Sequence, residues 1–85
     1  MSLIDSKPYI ERAILNEWSA FAENHPRLAA ALDQQMLIEQ ATAQLTADPE
    51  YLKAMDQAAA ANLAADSLLA LVSRFVRQFL ARLGA

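Results

Sequence analysis

Cysteine is missing from the 85 residues of this chain, and glycine occurs only once. Without cysteine, the chain cannot form disulfides, thiolate zinc sites or a cysteine nucleophile. A single glycine is too few for a glycine-rich phosphate-binding loop. Three prolines and few β-branched residues argue against a β-sheet. The expected fold class is therefore all-α, in a single helical domain of residues 1–85 that forms either a small three-helix bundle or an extended helical hairpin with a long C-terminal helix.

Long hydrophobic runs are absent as well. Large apolar residues are most concentrated between Leu68 and Val72, a stretch bounded by Asp66 and Arg74. This stretch is too short to span a bilayer. The first eight residues contain no apolar segment of the length that a signal peptide needs. The sequence therefore predicts cytoplasmic synthesis without a cleaved leader and leaves the final location open.

Residues with catalytic or metal-binding chemistry are scarce. His25 is the only histidine, and its position between Asn24 and Pro26 predicts an exposed loop residue, not an oriented general base. No histidine pair with metal-ligand spacing and no calcium-loop pattern occurs. The serines lack a nucleophile-elbow context. We therefore expect a non-enzymatic protein with no cofactor, no metal and no small-molecule substrate.

Helix signals fall into three segments, near residues 7–23, 26–47 and 49–83. Ser6 is a candidate N-cap for the first, and Asn24-His25-Pro26 separates it from the second. The second carries apolar residues on two opposite sides, which is typical of a helix packed between neighbours. Asp48-Pro49-Glu50 opens the third with a capping side chain, a proline and an acid in the first turn. Gly84 lies where a C-terminal cap belongs.

The third segment is too long for a compact chain of this size. About 35 helical residues at ~1.5 Å per residue give a rod of roughly 52 Å. A globule of this length has a diameter of only about 30 Å. Either the helix breaks in its alanine-rich middle, near residues 58–62, or its far end projects and contacts another molecule.

The C-terminal part of this segment is strongly amphipathic. At about 100° per residue, large apolar side chains fill roughly half of the helix circumference between Asp66 and Leu83. We predict that this part of the helix binds a partner through apolar anchors, with arginines that orient an acidic surface. The predicted partner-binding residues are Leu69, Val72, Arg74, Phe75, Val76, Arg77, Phe79, Arg82 and Leu83.

Charge is distributed unevenly along the chain. Residues 1–66 contain all ten acids and four bases, whereas residues 67–85 contain three arginines and no acid. This pattern predicts head-to-tail contact between copies of the chain or contact with another acidic surface; the simpler alternative is that the arginines complement the helix dipole. With a pI near 4.9, the protein is not expected to bind nucleic acid. A basic amphipathic helix is also typical of membrane-surface segments, which is the alternative from a different class.

The turn that opens the third segment is part of a longer sequence pattern. Asp48-Pro49-Glu50-Tyr51-Leu52 is an Asp-Pro-x-x-Leu turn, and Ser67 then precedes the amphipathic C-terminal part. This layout resembles the needle subunits of type III secretion systems, although alanines at 58–61 replace the polar stretch of that family. The resemblance implies a helical hairpin whose C-terminal helix packs a filament without a cofactor. The preferred interpretation is a small helical interaction or assembly protein that binds a protein partner, as a homo-oligomer or in a larger assembly, with a needle-like filament subunit as an alternative.

Overall fold

A computed structural model describes residues 5–84 of the chain, and within that range it contains five α-helices and no strand. The helices are α1 (Lys7–Asn24), α2 (Pro26–Ala31), α3 (Gln34–Thr46), α4 (Pro49–Ala61) and α5 (Ala65–Leu83). The predicted all-α fold class is thereby confirmed. Residues 1–4, half of the segment on which the expectation of no leader rests, lie outside the described residues.

Two helix starts agree with the capping patterns of the sequence. Helix α4 begins at Pro49, because the side chain of Asp48 accepts a hydrogen bond from the backbone N–H of Glu50 at 3.0 Å. Helix α1 begins after Ser6, as predicted, but the serine side chain is buried and makes no capping hydrogen bond. The carboxylate of Asp5 instead accepts a hydrogen bond from the N–H of Lys7 at 3.3 Å. The predicted position of the α1 cap was therefore correct, but the Ser6 side chain does not supply the capping hydrogen bond.

The predicted continuous helix over residues 26–47 is wrong, because it breaks between α2 and α3. Leu32 and Asp33 adopt extended backbone conformations, with ψ of 141° and 121°. The carboxylate of Asp33 accepts a hydrogen bond from the N–H of Gln35 at 2.9 Å and so caps a new helix. Since this carboxylate satisfies an N–H that would otherwise lack a partner, the chain can change direction at small loss of hydrogen bonding.

The segment 49–83, for which a break near residues 58–62 was one of two predicted alternatives, is divided into α4 and α5. Asn62 has φ 54° and ψ 51°, which is left-handed backbone that asparagine tolerates better than most residues. The N–H of Asn62 bonds to the carbonyl of Ala59 at 3.1 Å, and the N–H of Leu63 bonds to that of Ala58 at 3.2 Å. This pair of bonds is a Schellman motif, which ends a helix. Of the two alternatives for the over-long segment, the structure therefore shows a break.

Helices α1 and α5 run parallel and form the most extensive helix–helix contact of the fold. Glu17, in the second half of α1, forms an ion pair with Arg77, in the second half of α5. His25 follows α1 and lies against Gly84, which follows α5: a Cβ atom added to Gly84 would be only 2.6 Å from His25 Nε2. Gly84 has φ −86°, so its role is to allow this close approach and not to adopt left-handed backbone.

The core lies between the parallel pair and the α3–α4 hairpin. Its fully buried large side chains are Tyr51, Ile10, Ile14, Leu37, Val72 and Val76. Of the two apolar sides predicted for residues 26–47, the side with Leu37 and Ile38 faces this core, whereas Met36 is 59% exposed. The described residues measure 42 × 22 × 20 Å. Folding α5 back along α1 therefore replaces the rod of about 52 Å that an unbroken helix would form.

Candidate functional site

The predicted partner-binding residues of α5 divide into a buried group and an accessible group. Val72 and Val76 are 0% exposed and Phe79 is 6% exposed, because this side of α5 packs into the chain's own core. Leu69 and Leu83 are half-buried and pack against the same core. The expectation that the whole apolar side contacts a partner is corrected accordingly. Val72, Val76 and Phe79 hold α5 in the bundle and are not accessible while the protein is folded.

The three arginines of α5 lie at the surface. Arg77 Nη1 is 3.7 Å from Glu17 Oε2, and the two side chains are 54% and 27% exposed. An ion pair with that exposure contributes less than about 1 kcal/mol to stability. Arg74 and Arg82 are exposed and form no ion pair with any residue in the range 5–84. Arg77 thus contacts α1, whereas Arg74 and Arg82 are exposed and make no such contact within residues 5–84.

An open groove lies between α4 and α5, and we call it the α4–α5 groove. Its floor consists of the half-buried side chains of Ala54, Leu71 and Phe75. Exposed side chains form its rim: Pro49, Glu50, Lys53, Gln57, Arg74 and Gln78. The volume of the groove is about 510 Å³, which lies in the range of protein pockets that hold small ligands or a few side chains.

Phe75 is held in the floor of this groove by an aromatic contact. The ring of Tyr51 on α4 meets the ring of Phe75 edge to face, with centroids 5.1 Å apart and an interplanar angle of 87°. Contacts of this kind contribute about 0.5–1.5 kcal/mol beyond the buried area. Tyr51 is 0% exposed, so it ties the groove floor directly to the core. This contact therefore helps to hold the ring of Phe75 in the groove floor.

The hydroxyl of Tyr51 is an unusual feature below the groove. It is buried and makes no hydrogen bond of acceptable geometry with the residues that the structure describes. Burial raises the pKa of this hydroxyl above its usual value of 10.0, and the side chain of Ser6 opposes that shift. The serine hydroxyl is therefore beside the phenol without being aligned to it. Tyr51 stays neutral at physiological pH and acts as a packing residue.

The electrostatics of the α4–α5 groove differ from those of the whole chain. Lys53 on α4 and Arg74 on α5 stand at its rim with one acid, Glu50. Glu50 and Lys53 are neighbours on the surface of α4, yet neither forms an ion pair within 4 Å in the described range. A chain with a net charge of −3 thus presents a groove in which bases outnumber acids.

A second groove lies between α1 and the first turns of α5, and we call it the α1–α5 groove. Its volume is about 500 Å³. Leu15 lines it and is 51% exposed, more than any other leucine of the described residues. Leu69, a predicted partner-binding residue, lies on the α5 side. The remaining lining residues are Pro8, Tyr9, Glu11, Arg12, Asn16, Ala65 and Asp66.

Among residues 5–84, no group of three or more histidine, aspartate or glutamate side chains is placed to hold a metal ion. His25 was expected in an exposed loop, but its half-buried ring packs 5.2 Å from the ring of Phe21 and against Gly84. Across the same range, no helix combines the length and the hydropathy that a bilayer crossing requires.

Sequence reasoning found part of the α4–α5 groove and missed the rest. Arg74 and Phe75 were predicted to bind a partner and do line the groove, whereas Lys53 and Leu71 were not predicted. A signal for Leu71 existed, because Leu71 and Phe75 are four residues apart and share a helix face. Lys53 on α4 lies beside α5 only because the chain breaks at Asn62. The residue pattern of α5 therefore cannot show that Lys53 lines the groove.

Comparison of the chain with models of protein families, with characterised proteins and with solved structures finds no significant match. The resemblance to needle subunits therefore rests on the turn at Asp48-Pro49 and the segment after Ser67 alone. The structure contains the hairpin that this resemblance implies, formed by α3 and α4. The helix after the turn ends at Ala61, however, and does not continue to the C-terminus.

Proposed function

We propose that this protein is a non-enzymatic interaction module that binds an acidic amphipathic helix of a partner protein in the α4–α5 groove. The observation that carries this proposal is the combination of an apolar floor with bases on both walls that form no ion pair within residues 5–84. Phe75 and Leu71 supply the apolar contact, while Lys53 and Arg74 approach it from α4 and α5. Helix-in-groove recognition uses this combination: apolar anchors give affinity, and flanking charges give orientation.

The shape of the groove favours a helix over a small molecule. It is an open channel between two helices, and its polar residues stand at the rim and not in an enclosed pocket. A helical segment with apolar residues at i, i+4 and i+7 would place them along the floor, with acids reaching the bases on either side. Because the ring of Phe75 is already held by Tyr51, binding loses little side-chain entropy there.

Two alternatives have less support. A membrane-surface role for α5 would use its wide apolar side, but Val72 and Val76 on that side are 0% exposed in the folded chain. A filament subunit of the needle type would need a continuous C-terminal helix, and Asn62 interrupts it. Assembly of the protein into a larger complex remains part of the proposal, through the groove and not through the buried side of α5.

The proposal is tested with a synthetic peptide of about 20 residues, which is long enough to form a helix on binding. Its leucines are placed at positions i, i+4 and i+7, so that they share one face of the helix. Glutamates occupy the positions on either side of that face. Titrated into isotope-labelled protein, this peptide is expected to shift the NMR signals of Lys53, Leu71, Arg74 and Phe75. A peptide with lysines in place of the glutamates serves as the control and is expected to bind at least about tenfold more weakly.

Matched charge reversals separate the groove from the rest of the surface. Lys53→Glu combined with Arg74→Glu is expected to weaken binding of the acidic peptide by about tenfold or more, since each rim charge contributes up to about 1 kcal/mol. Arg82→Glu changes an exposed arginine of the same helix that does not line the groove, so it should leave binding nearly unchanged. No shifts in the groove, or equal weakening by both variants, would overturn the proposal.

A further inference from the structure

The geometry points to the α1–α5 groove as the contact between two copies of this chain in a symmetric dimer. This inference is independent of the proposed function, because the α1–α5 groove shares no lining residue with the α4–α5 groove. It starts from Leu15, which is 51% exposed on α1, and from Leu69, which is half-buried on α5 at the same groove. An apolar centre with charged residues at its edges is the usual anatomy of a protein interface.

The charges at this groove identify the occupant as a second copy. Arg12 lies on the α1 side and Asp66 lies on the α5 side, and the two do not pair with each other or with any other described residue within 4 Å. The α5 wall therefore offers an acid, and the α1 wall offers the base Arg12 beside a further acid, Glu11. A surface that carries both members of a complementary pair, separated across a groove, fits another copy of itself.

Because α1 and α5 run parallel, a symmetric dimer through this groove is geometrically possible. A two-fold axis along the groove places α1 of one copy over α5 of the other, with both helices pointing the same way. Arg12 of each copy then meets the wall that holds Asp66 of the other, so the pair forms twice. Leu15 of each copy meets the wall that holds Leu69. Glu11, the third charged residue of the groove, lies about 100° from Arg12 around α1 and lines the same wall.

The size of the surface sets the expected strength. A stable dimer of standard size buries roughly 800 Å² on each partner, which is about one seventh of the 5630 Å² exposed by this chain. The two helix faces beside a single groove reach this value only if they are covered along most of their length. We therefore expect a reversible dimer whose population rises with protein concentration, and not an obligate one.

Sedimentation equilibrium over micromolar to millimolar concentrations tests the dimer, with two charge reversals as the decisive variants. Arg12→Asp alone places acid against acid at both contacts, and Asp66→Arg alone places base against base. Each variant by itself is expected to lose at least tenfold in dimer affinity. An equimolar mixture of the two restores opposite charges at both contacts, so it is expected to form a heterodimer about as tight as the native dimer.

Controls keep this result interpretable. Arg82→Asp and Asp56→Arg reverse exposed charges outside the groove and should leave dimerisation unchanged. Circular dichroism confirms that each variant is folded; should Asp66→Arg unfold, Leu15→Glu, at an exposed position, replaces it and must also abolish the dimer. A native protein that stays monomeric at every concentration overturns the inference. So does a native dimer that Arg12→Asp leaves intact, or a mixture in which the two variants fail to associate.

Discussion

The two sides of α5 share one helix and have opposite roles. On the side that faces α1, Val72 and Val76 are completely buried and join α5 to the core. On the side that faces α4, Leu71 and Phe75 are half-buried at the floor of an open groove, and Arg74 is exposed beside them. The sequence of α5 is apolar on both sides, so apolar character alone does not distinguish a residue that folds the chain from one that can bind a partner.

The difference between the two sides arises outside α5. The left-handed residue Asn62 ends α4 and allows α5 to lie along α1, which covers one side of α5 and leaves the other facing a gap. An unbroken helix would have left both sides uncovered along its far half. The backbone conformation at Asn62 is therefore one of the conditions under which the α1-facing side of α5 becomes core.

The largest effect is expected on the buried side of α5. Val76→Asp places a carboxylate at a position that is 0% exposed and belongs to the apolar core. Burying such a charge destabilises the fold by more than about 4 kcal/mol, which is nearly the whole stability of a domain at the lower end of the usual range of about 5–15 kcal/mol. Urea unfolding followed by far-UV circular dichroism should show little or no folded baseline.

The matched change on the groove side of α5 is Gln78→Asp. Gln78 is exposed at the rim of the α4–α5 groove, so this variant is expected to lose no more than about 0.5 kcal/mol of stability. The comparison between the two sides fails if both aspartates destabilise the protein equally. It also fails if Val76→Asp unfolds with the native midpoint.

How much of the fold the sequence predicts depends on the strength of the local signal. The helix starts after Ser6 and Asp48 were predictable, because a capping residue and a nearby proline coincide there. The break at Leu32-Asp33 was not predicted, and the break at Asn62 was only one of two alternatives, since neither site has a glycine or proline beside it and alanine-rich surroundings favour an unbroken helix. Tertiary packing decided both cases: a short helix that turns back buries more apolar surface than a long one that projects.

The candidate site was predictable to a smaller extent than the fold. Amphipathicity identified α5 as the helix that carries Arg74 and Phe75, and both line the α4–α5 groove. The same pattern also selected Val76 and Phe79, because a periodicity of 3.6 residues shows which residues are apolar and not which neighbour covers them. Only the three-dimensional arrangement of α1 and α4 around α5 separates these residues.

An intermediate effect is expected at the break that produces the two sides of α5. Asn62→Ala places a Cβ-bearing residue without asparagine's local hydrogen bonding at φ 54°, which should cost about 1–2 kcal/mol. Asn62→Gly is the matched control and should be neutral within about 0.5 kcal/mol, because glycine adopts left-handed backbone freely. Both values come from thermal or urea unfolding. If alanine is tolerated as well as glycine, α4 and α5 are joined by some other conformation in solution.

The smallest effect is expected at Tyr51, where the core meets the floor of the α4–α5 groove. Tyr51→Phe keeps the ring that contacts Phe75 and removes a buried hydroxyl that has no aligned hydrogen-bond partner. At neutral pH the variant should be as stable as the native protein or up to about 1 kcal/mol more stable. Tyr9→Phe, at a half-buried position, is the control for a generic loss of a tyrosine hydroxyl.

The free energy of unfolding of Tyr51→Phe and that of the native protein should differ in how they depend on pH, in a defined direction. Because the pKa of Tyr51 in the folded protein is raised above its usual value of 10.0, the folded state holds this proton at pH values where the unfolded state has lost it. The stability that the protonated Tyr51 hydroxyl contributes is therefore fully present below pH 10, and it is lost as the pH rises through the pKa of the folded state. Tyr51→Phe should consequently lose less stability than the native protein between neutral and strongly alkaline pH, in urea unfolding at matched ionic strength. A loss of more than about 1 kcal/mol at neutral pH would instead mean that the hydroxyl has a hydrogen-bond partner in solution, and that the groove floor depends on that bond as well as on the ring.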